Sequence, residues 1–82
     1  MNIVVKKSER NQGIGQRLLD ELIYKSKDFG LKTIELEVNE KNLNAIKLYE
    51  KNDFKIIGRR KKYYNSVDDA ILMQKKITIY SK

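Results

Sequence analysis

The 82-residue sequence has no cysteine, no histidine and no proline, and only four glycines. Without cysteine there is no disulfide staple and no thiolate site. Without histidine the commonest metal ligand and the commonest general base near neutral pH are both missing. Acid–base chemistry therefore falls to Glu, Asp, Tyr or Lys, and no metal site is expected. Long apolar runs are missing too: the longest are far too short to span a bilayer. Met1-Asn2-Ile3-Val4-Val5 gives way at once to Lys6-Lys7, which does not read as a signal peptide. The expectation is a cytoplasmic protein with no membrane partner. No proline-rich linker, repeat or low-complexity segment marks a second domain, so residues 1–82 read as one domain. A chain of this size hides about 60% of its extended-chain surface on folding, enough for one modest core.

What is abundant is positive charge. Eighteen Lys and Arg stand against eleven Asp and Glu, a formal charge of +7. The excess fits a polyanionic partner, either nucleic acid or a phosphorylated cofactor. It equally fits a lysine-rich solvated surface, since the basic residues are spread along the chain. The densest cluster is Arg59-Arg60-Lys61-Lys62, followed by Tyr63-Tyr64. Nucleic-acid binding through that cluster would leave the rest of the chain's motifs unexplained, so nucleic acid is not the expected partner.

Hydrophobic periodicity predicts the elements. Residues 2–5 read as a short strand and 6–11 as a polar loop. From Gly13 to about Phe29, Ile14, Leu18, Leu19, Leu22 and Ile23 form a helical stripe, with Gly30 placed as a stop. Residues 32–38 alternate, with Ile34, Leu36 and Val38 on one face and Glu35 and Glu37 on the other. Asn42 or Asn44 can cap a helix carrying Ala45, Ile46, Leu48 and Tyr49, which ends near Asn52-Asp53. Strands follow from Phe54 to about Gly58 and from Ala70 to about Ile79, linked by the basic and aromatic segment 59–69. The order is β-α-β-α-β-β, an α/β fold. Its β-α-β part requires a parallel strand pair, and the last two strands are expected to be antiparallel.

Between the first strand and the first helix stands Arg10-Asn11-Gln12-Gly13-Ile14-Gly15. Glycines let backbone approach an anion closely, and the N–H groups of a helix start point at it. A dinucleotide fingerprint wants a third glycine where Leu18 stands, and a P-loop wants a Gly-Lys-Ser/Thr that is absent. On its own the turn is either an anion cradle of another kind or a plain helix start.

Arg10-x-x-Gly13-x-Gly15 resembles the acetyl-CoA pyrophosphate motif of the GNAT superfamily of N-acetyltransferases. Leu36-Glu37-Val38-Asn39, Asn42, Ala45-Ile46-x-Leu48-Tyr49-Glu50 and Phe54 are similar to the second half of that fold. Gly58-Arg59-Arg60-x-x-Tyr63-Tyr64 and Asp69-Ala70-Ile71-x-Met73 are similar to its ribosomal-protein-alanine N-acetyltransferase branch. The resemblance covers nearly the whole chain. It implies a partial GNAT fold and transfer of acetyl from acetyl-CoA, as co-substrate, to a primary amine such as a protein N-terminus. The transfer is direct, with no covalent enzyme intermediate.

The resemblance also assigns roles. Asn11, Gln12, Gly13, Ile14, Gly15 and Gln16, with Arg10, would hold the pyrophosphate, and Ile3, Val4 and Val5 would lie along the pantetheine arm. Glu37 matches the general base; from the residues alone it is either that or an exposed strand carboxylate. Tyr49 matches the general acid that protonates the departing thiolate, and is otherwise a core tyrosine. Asn42 matches a pantetheine contact, and is otherwise a helix cap. Arg59, Tyr63 and Tyr64 match the loop beside the acceptor, and are otherwise a solvated hairpin tip.

A full domain of this family has further strands and helices before the strand at residues 2–5, and they are expected to be missing here. That strand would then be an open sheet edge, prone to pairing with a second copy. The expected assembly is a homo-oligomer. The competing expectation is a non-catalytic remnant that binds CoA or oligomerises without an acceptor groove.

Overall fold

The computed structural model describes the backbone of residues 2–5, 15–64 and 67–77, and the side chains of 15–62 and 67–77. The elements are β1 (Asn2–Val5), α1 (Gln16–Asp28), β2 (Thr33–Asn39), α2 (Leu43–Lys51), β3 (Lys55–Tyr64) and β4 (Asp68–Lys76). This is the expected β-α-β-α-β-β order. The strands form one sheet in the order β1-β2-β4-β3. β1 runs parallel to β2, with Ile3 opposite Ile34 and Val5 opposite Leu36; a parallel pair needs a crossover, and α1 lies within it. β4 is antiparallel to both β2 and β3, so the expected antiparallel pair is present with β4 as its inner member.

Local chemistry sets the helix ends. Gly30 adopts φ 72°, and its N–H and that of Leu31 donate to the carbonyls of Lys27 and Ser26 at 3.1 and 2.9 Å, which closes α1. Asn42 caps α2 by accepting from the Ala45 N–H at 3.2 Å. α2 stops at Asn52, and Asp53 follows at φ 70°, a left-handed conformation that Asp adopts at some cost. The Phe54 N–H then returns to the Tyr49 carbonyl at 3.0 Å.

The core lies on one face of the sheet. Ile34, Leu36 and Val38 of β2 meet Ile71 and Met73 of β4, Leu19 of α1, Ala45 and Tyr49 of α2, and Phe54. Each large side chain contributes about 1.5–3 kcal/mol when fully buried. The alternation read in β2 is therefore real.

One expectation is corrected. The segment 59–64 is not a link between strands; it is the outer half of the ten-residue β3. Its charges suit an edge strand, where Lys and Arg discourage pairing with another chain. α1 begins at Gln16, with Gly15 as its N-cap; Gly13 and Ile14 lie outside the described residues.

Candidate functional site

Glu37 lies near the C-terminal end of β2, on the face turned away from Leu36 and Val38, and pairs in register with Leu72. In open α/β sheets that end of a parallel strand is where sites form. Its side chain is 5% exposed and its Oε1 lies 3.2 Å from Nε of Arg60. Burying a carboxylate this deeply requires such a partner. Arg60 belongs to β3 and stands opposite Ala70 of β4. β4 separates the two strands, so the guanidinium reaches Glu37 across it, over a residue small enough to pass beneath. On the same face, Gly58 is opposite Leu72, and a Cβ there would meet Leu72 Cδ1 at 3.3 Å.

A second cluster fixes the segment after β2. The Asp69 carboxylate accepts from the Lys62 N–H at 2.7 Å and from Arg59 Nη1 at 2.6 Å. Arg59 Nη1 also reaches Glu40 Oε1 at 3.0 Å. The Asp69 N–H donates to Glu40 Oε2, and the Glu40 N–H donates to the Asp69 carbonyl, both at 3.0 Å. The Lys62 N–H, first, and then Arg59 hold the Asp69 carboxyl below the usual carboxylate range. In return Asp69, then Glu40, raise the Arg59 guanidinium. Beside them Asn39 Nδ2 donates to Asp68 Oδ2 at 3.1 Å, and Asn39 Oδ1 accepts from the Lys41 N–H at 2.8 Å. Strands β2, β3 and β4 are thus tied together at the end where Glu37 sits.

The start of α1 is open. Gly15 is exposed and extended, with no side chain to cap the helix and no acidic residue in the first turn. A Cβ added at Gly15 would meet nothing within 4 Å. The first-turn N–H groups of a helix suit an anion, which fits a pyrophosphate-bearing ligand. The Gln16 side chain is committed elsewhere. It exchanges two hydrogen bonds with Asn52, at 3.0 and 3.1 Å, and donates to Asp20 at 2.8 Å. This clasp joins the first turn of α1 to the end of α2. Arg10, Asn11, Gln12, Gly13 and Ile14 lie outside the described residues.

Tyr49 is wholly buried in the core, its ring 5.8 Å from that of Phe54 at 58°. Glu37 and Tyr49 approach from opposite faces of the sheet. Asn42 carries the cap already described. Ile3, Val4 and Val5 lie on β1, which pairs with β2 and is an outer one among the described strands. Arg59 is held by two carboxylates. Tyr63 and Tyr64 lie on β3, with Tyr64 opposite Asp68; their side chains lie outside the described ones.

Sequence reasoning passed over Arg60, Glu40 and Asp69 as partners. Only the strand register brings them to the site. A cavity of about 330 Å³ lined by Asp53, Lys55, Ile57, Gln74, Lys75 and Lys76 lies toward the other end of the hairpin and does not include Glu37. No helix among the described residues is long and apolar enough to cross a membrane.

Residues 1–54 match the acetyltransferase (GNAT) family. The chain is 40% identical over 75 residues to the [Ribosomal protein bS18]-alanine N-acetyltransferase of Escherichia coli, covering 88% of this chain and 51% of that protein. It superposes on the crystal structure of the ribosomal-protein-alanine N-acetyltransferase from Escherichia coli with a TM-score of 0.75 and 36% identity, covering 89% of this chain and 49% of that one. A NatC complex solved with Gag peptide and CoA gives a TM-score of 0.74 at 30% identity, over 84% of this chain and 43% of that one. The chain spans about half the length of the curated relatives it matches.

Proposed function

Because this chain belongs to the GNAT acetyltransferase family, we propose that it transfers acetyl from acetyl-CoA to a primary amine, the N-terminal α-amine of a protein. The observation that carries the reading is the buried carboxylate of Glu37 at the end of β2, whose parallel neighbour β1 is an outer one among the described strands. The relatives named as ribosomal-protein-alanine N-acetyltransferases and the NatC complex bound to Gag peptide and CoA support the choice of substrates.

The open N-terminus of α1 at Gly15 and Gln16, with Arg10, Asn11, Gln12, Gly13 and Ile14 before it, takes the pyrophosphate. The backbone of Ile3, Val4 and Val5 runs beside the pantetheine arm, Asn42 contacts it, and one N–H of that strand polarises the thioester carbonyl. The acceptor amine attacks that carbonyl carbon. Its proton passes to Glu37, directly or through water. As the tetrahedral intermediate collapses, the C–S bond breaks and the thiolate takes a proton from the Tyr49 hydroxyl. Tyr63 and Tyr64 flank the acceptor. Arg59 acts there as the anchor of β3 rather than as a free cation.

The test is thiol release from acetyl-CoA with peptides that begin with alanine. The chain turns over, and Glu37→Gln slows turnover about 100- to 10,000-fold while calorimetric CoA affinity holds. CoA binding with no turnover on any peptide would favour a non-catalytic CoA-binding protein, and equal rates in both forms would remove Glu37 as the base.

A further inference from the structure

Glu37 needs more than burial to act as a base: one carboxylate oxygen must face the amine, and the side chain must hold a single rotamer while it does. The partner that fixes it is on another strand. Arg60 Nε lies 3.2 Å from Glu37 Oε1, with the carboxylate 5% exposed and the arginine side chain 56% exposed. Arg60 reaches there over Ala70, which is fully buried. Its neighbour Arg59 points elsewhere and is spent on Asp69 and Glu40. The two adjacent arginines therefore do different jobs: Arg59 ties β3 to β4 and to the segment after β2, and Arg60 is delivered to the carboxylate.

We infer that Arg60 is a positioning residue for Glu37, an inference that rests on Glu37 being the base. The guanidinium N–H occupies Oε1, which leaves Oε2 to take the amine proton. It is also the polar partner that a carboxylate buried to 5% exposure needs. Nothing covalent involves Arg60; the proton still passes from amine to Glu37. Lysine is a poor substitute, because an ammonium cannot reproduce the planar N–H geometry.

The experiment compares the full chain with Arg60→Gln, Arg60→Lys, Glu37→Gln and the double variant Arg60→Gln/Glu37→Gln, using acetyl-CoA and an alanine-initiated peptide. Because Arg60 is more than half exposed, its single variants are expected to fold, and circular dichroism with CoA affinity checks every variant. Arg60→Gln lowers kcat about 10- to 100-fold, the range typical of a misplaced catalytic group, with KM for acetyl-CoA unchanged. Millimolar guanidinium restores part of the rate to Arg60→Gln, and ammonium does not. In the Glu37→Gln background the Arg60→Gln change has no further effect. Wild-type kcat in Arg60→Gln beside a slow Glu37→Gln overturns the inference and leaves the proposed function standing. So does an unchanged further loss in the double variant, which would make Arg60 act independently. A Glu37→Gln variant as fast as the wild type overturns the assignment of the base, and this inference with it.

Discussion

Replacing Tyr49 with alanine and with phenylalanine separates its two roles. Among the described residues Tyr49 is the largest fully buried side chain, and its tilted contact with Phe54 at 5.8 Å falls in the range where an aromatic pair adds about 0.5–1.5 kcal/mol beyond area burial. Truncating a buried aromatic to alanine costs about 3–5 kcal/mol. A domain of this length is stable by only about 4–12 kcal/mol, at roughly 0.05–0.15 kcal/mol per residue. Tyr49→Ala therefore removes about a quarter or more of the stability, and with a urea slope of about 1 kcal/mol per molar a loss of about 4 kcal/mol moves the midpoint by about 4 M. Tyr49→Phe keeps the ring and the Phe54 contact and loses a hydroxyl worth about 0.5–1.5 kcal/mol. Urea melts followed by circular dichroism, paired with thiol-release rates, read both effects. The phenylalanine variant should melt close to the wild type and turn over slowly. An alanine variant within about 1 kcal/mol of the wild type would refute the packing argument. A phenylalanine variant with full turnover would refute the hydroxyl as the acid.

The pH dependence of stability should carry the mark of Asp69. Its folded-state pKa lies below the ordinary 3.8, so its contribution is complete above that value and is lost as the pH falls through the lower folded value. Asp69→Asn should flatten the acid limb of a melting-temperature profile below about pH 4, and identical acid limbs in both proteins would count against the Lys62 and Arg59 contacts as its cause. Among the described strands β1 and β3 are the outer ones; β3 carries Lys55, Arg59, Arg60, Lys61 and Lys62, whereas Asn2–Val5 carries no charge. Self-association through β1 is therefore expected, and light scattering that finds a stable monomer at micromolar concentration would rule it out.

The elements whose chemistry is local were legible in the sequence. The 2-residue alternation of Ile34, Leu36 and Val38, a cap at Asn42 or Asn44 and the stop at Gly30 each act over a few residues, so their signals survive in one dimension. The charged face of β2 was legible as a face but not as a buried one. Glu37 loses its exposure to Arg60, which is twenty-three positions further along and two strands away, and no periodicity encodes that. The extent of β3 was missed for a related reason. Arg59-Arg60-Lys61-Lys62 has the composition of a solvated turn, and propensity gives way here to tertiary pairing with β4.

The choice between Arg59 and Arg60 shows how sharply register decides function. β3 pairs regularly with β4 at Lys55–Gln74 and Ile56–Met73, then gains one residue at Ile57, so that Gly58 meets Leu72 and Arg60 meets Ala70. Because side chains alternate between faces, a one-residue shift exchanges the faces of everything beyond it. Without the extra residue Arg59 would stand opposite Ala70 and be the arginine turned toward Glu37, and Arg60 would face the other way. The bulge therefore selects which of two identical neighbours meets the carboxylate. A second irregularity between Arg60 and Tyr64, where Lys62 takes φ 51° and donates its N–H to Asp69, holds the strand in that register. The residue type at the site is written in the sequence, but the position that supplies it is set by backbone geometry around Ile57 and Lys62, which have no distinctive side-chain chemistry of their own.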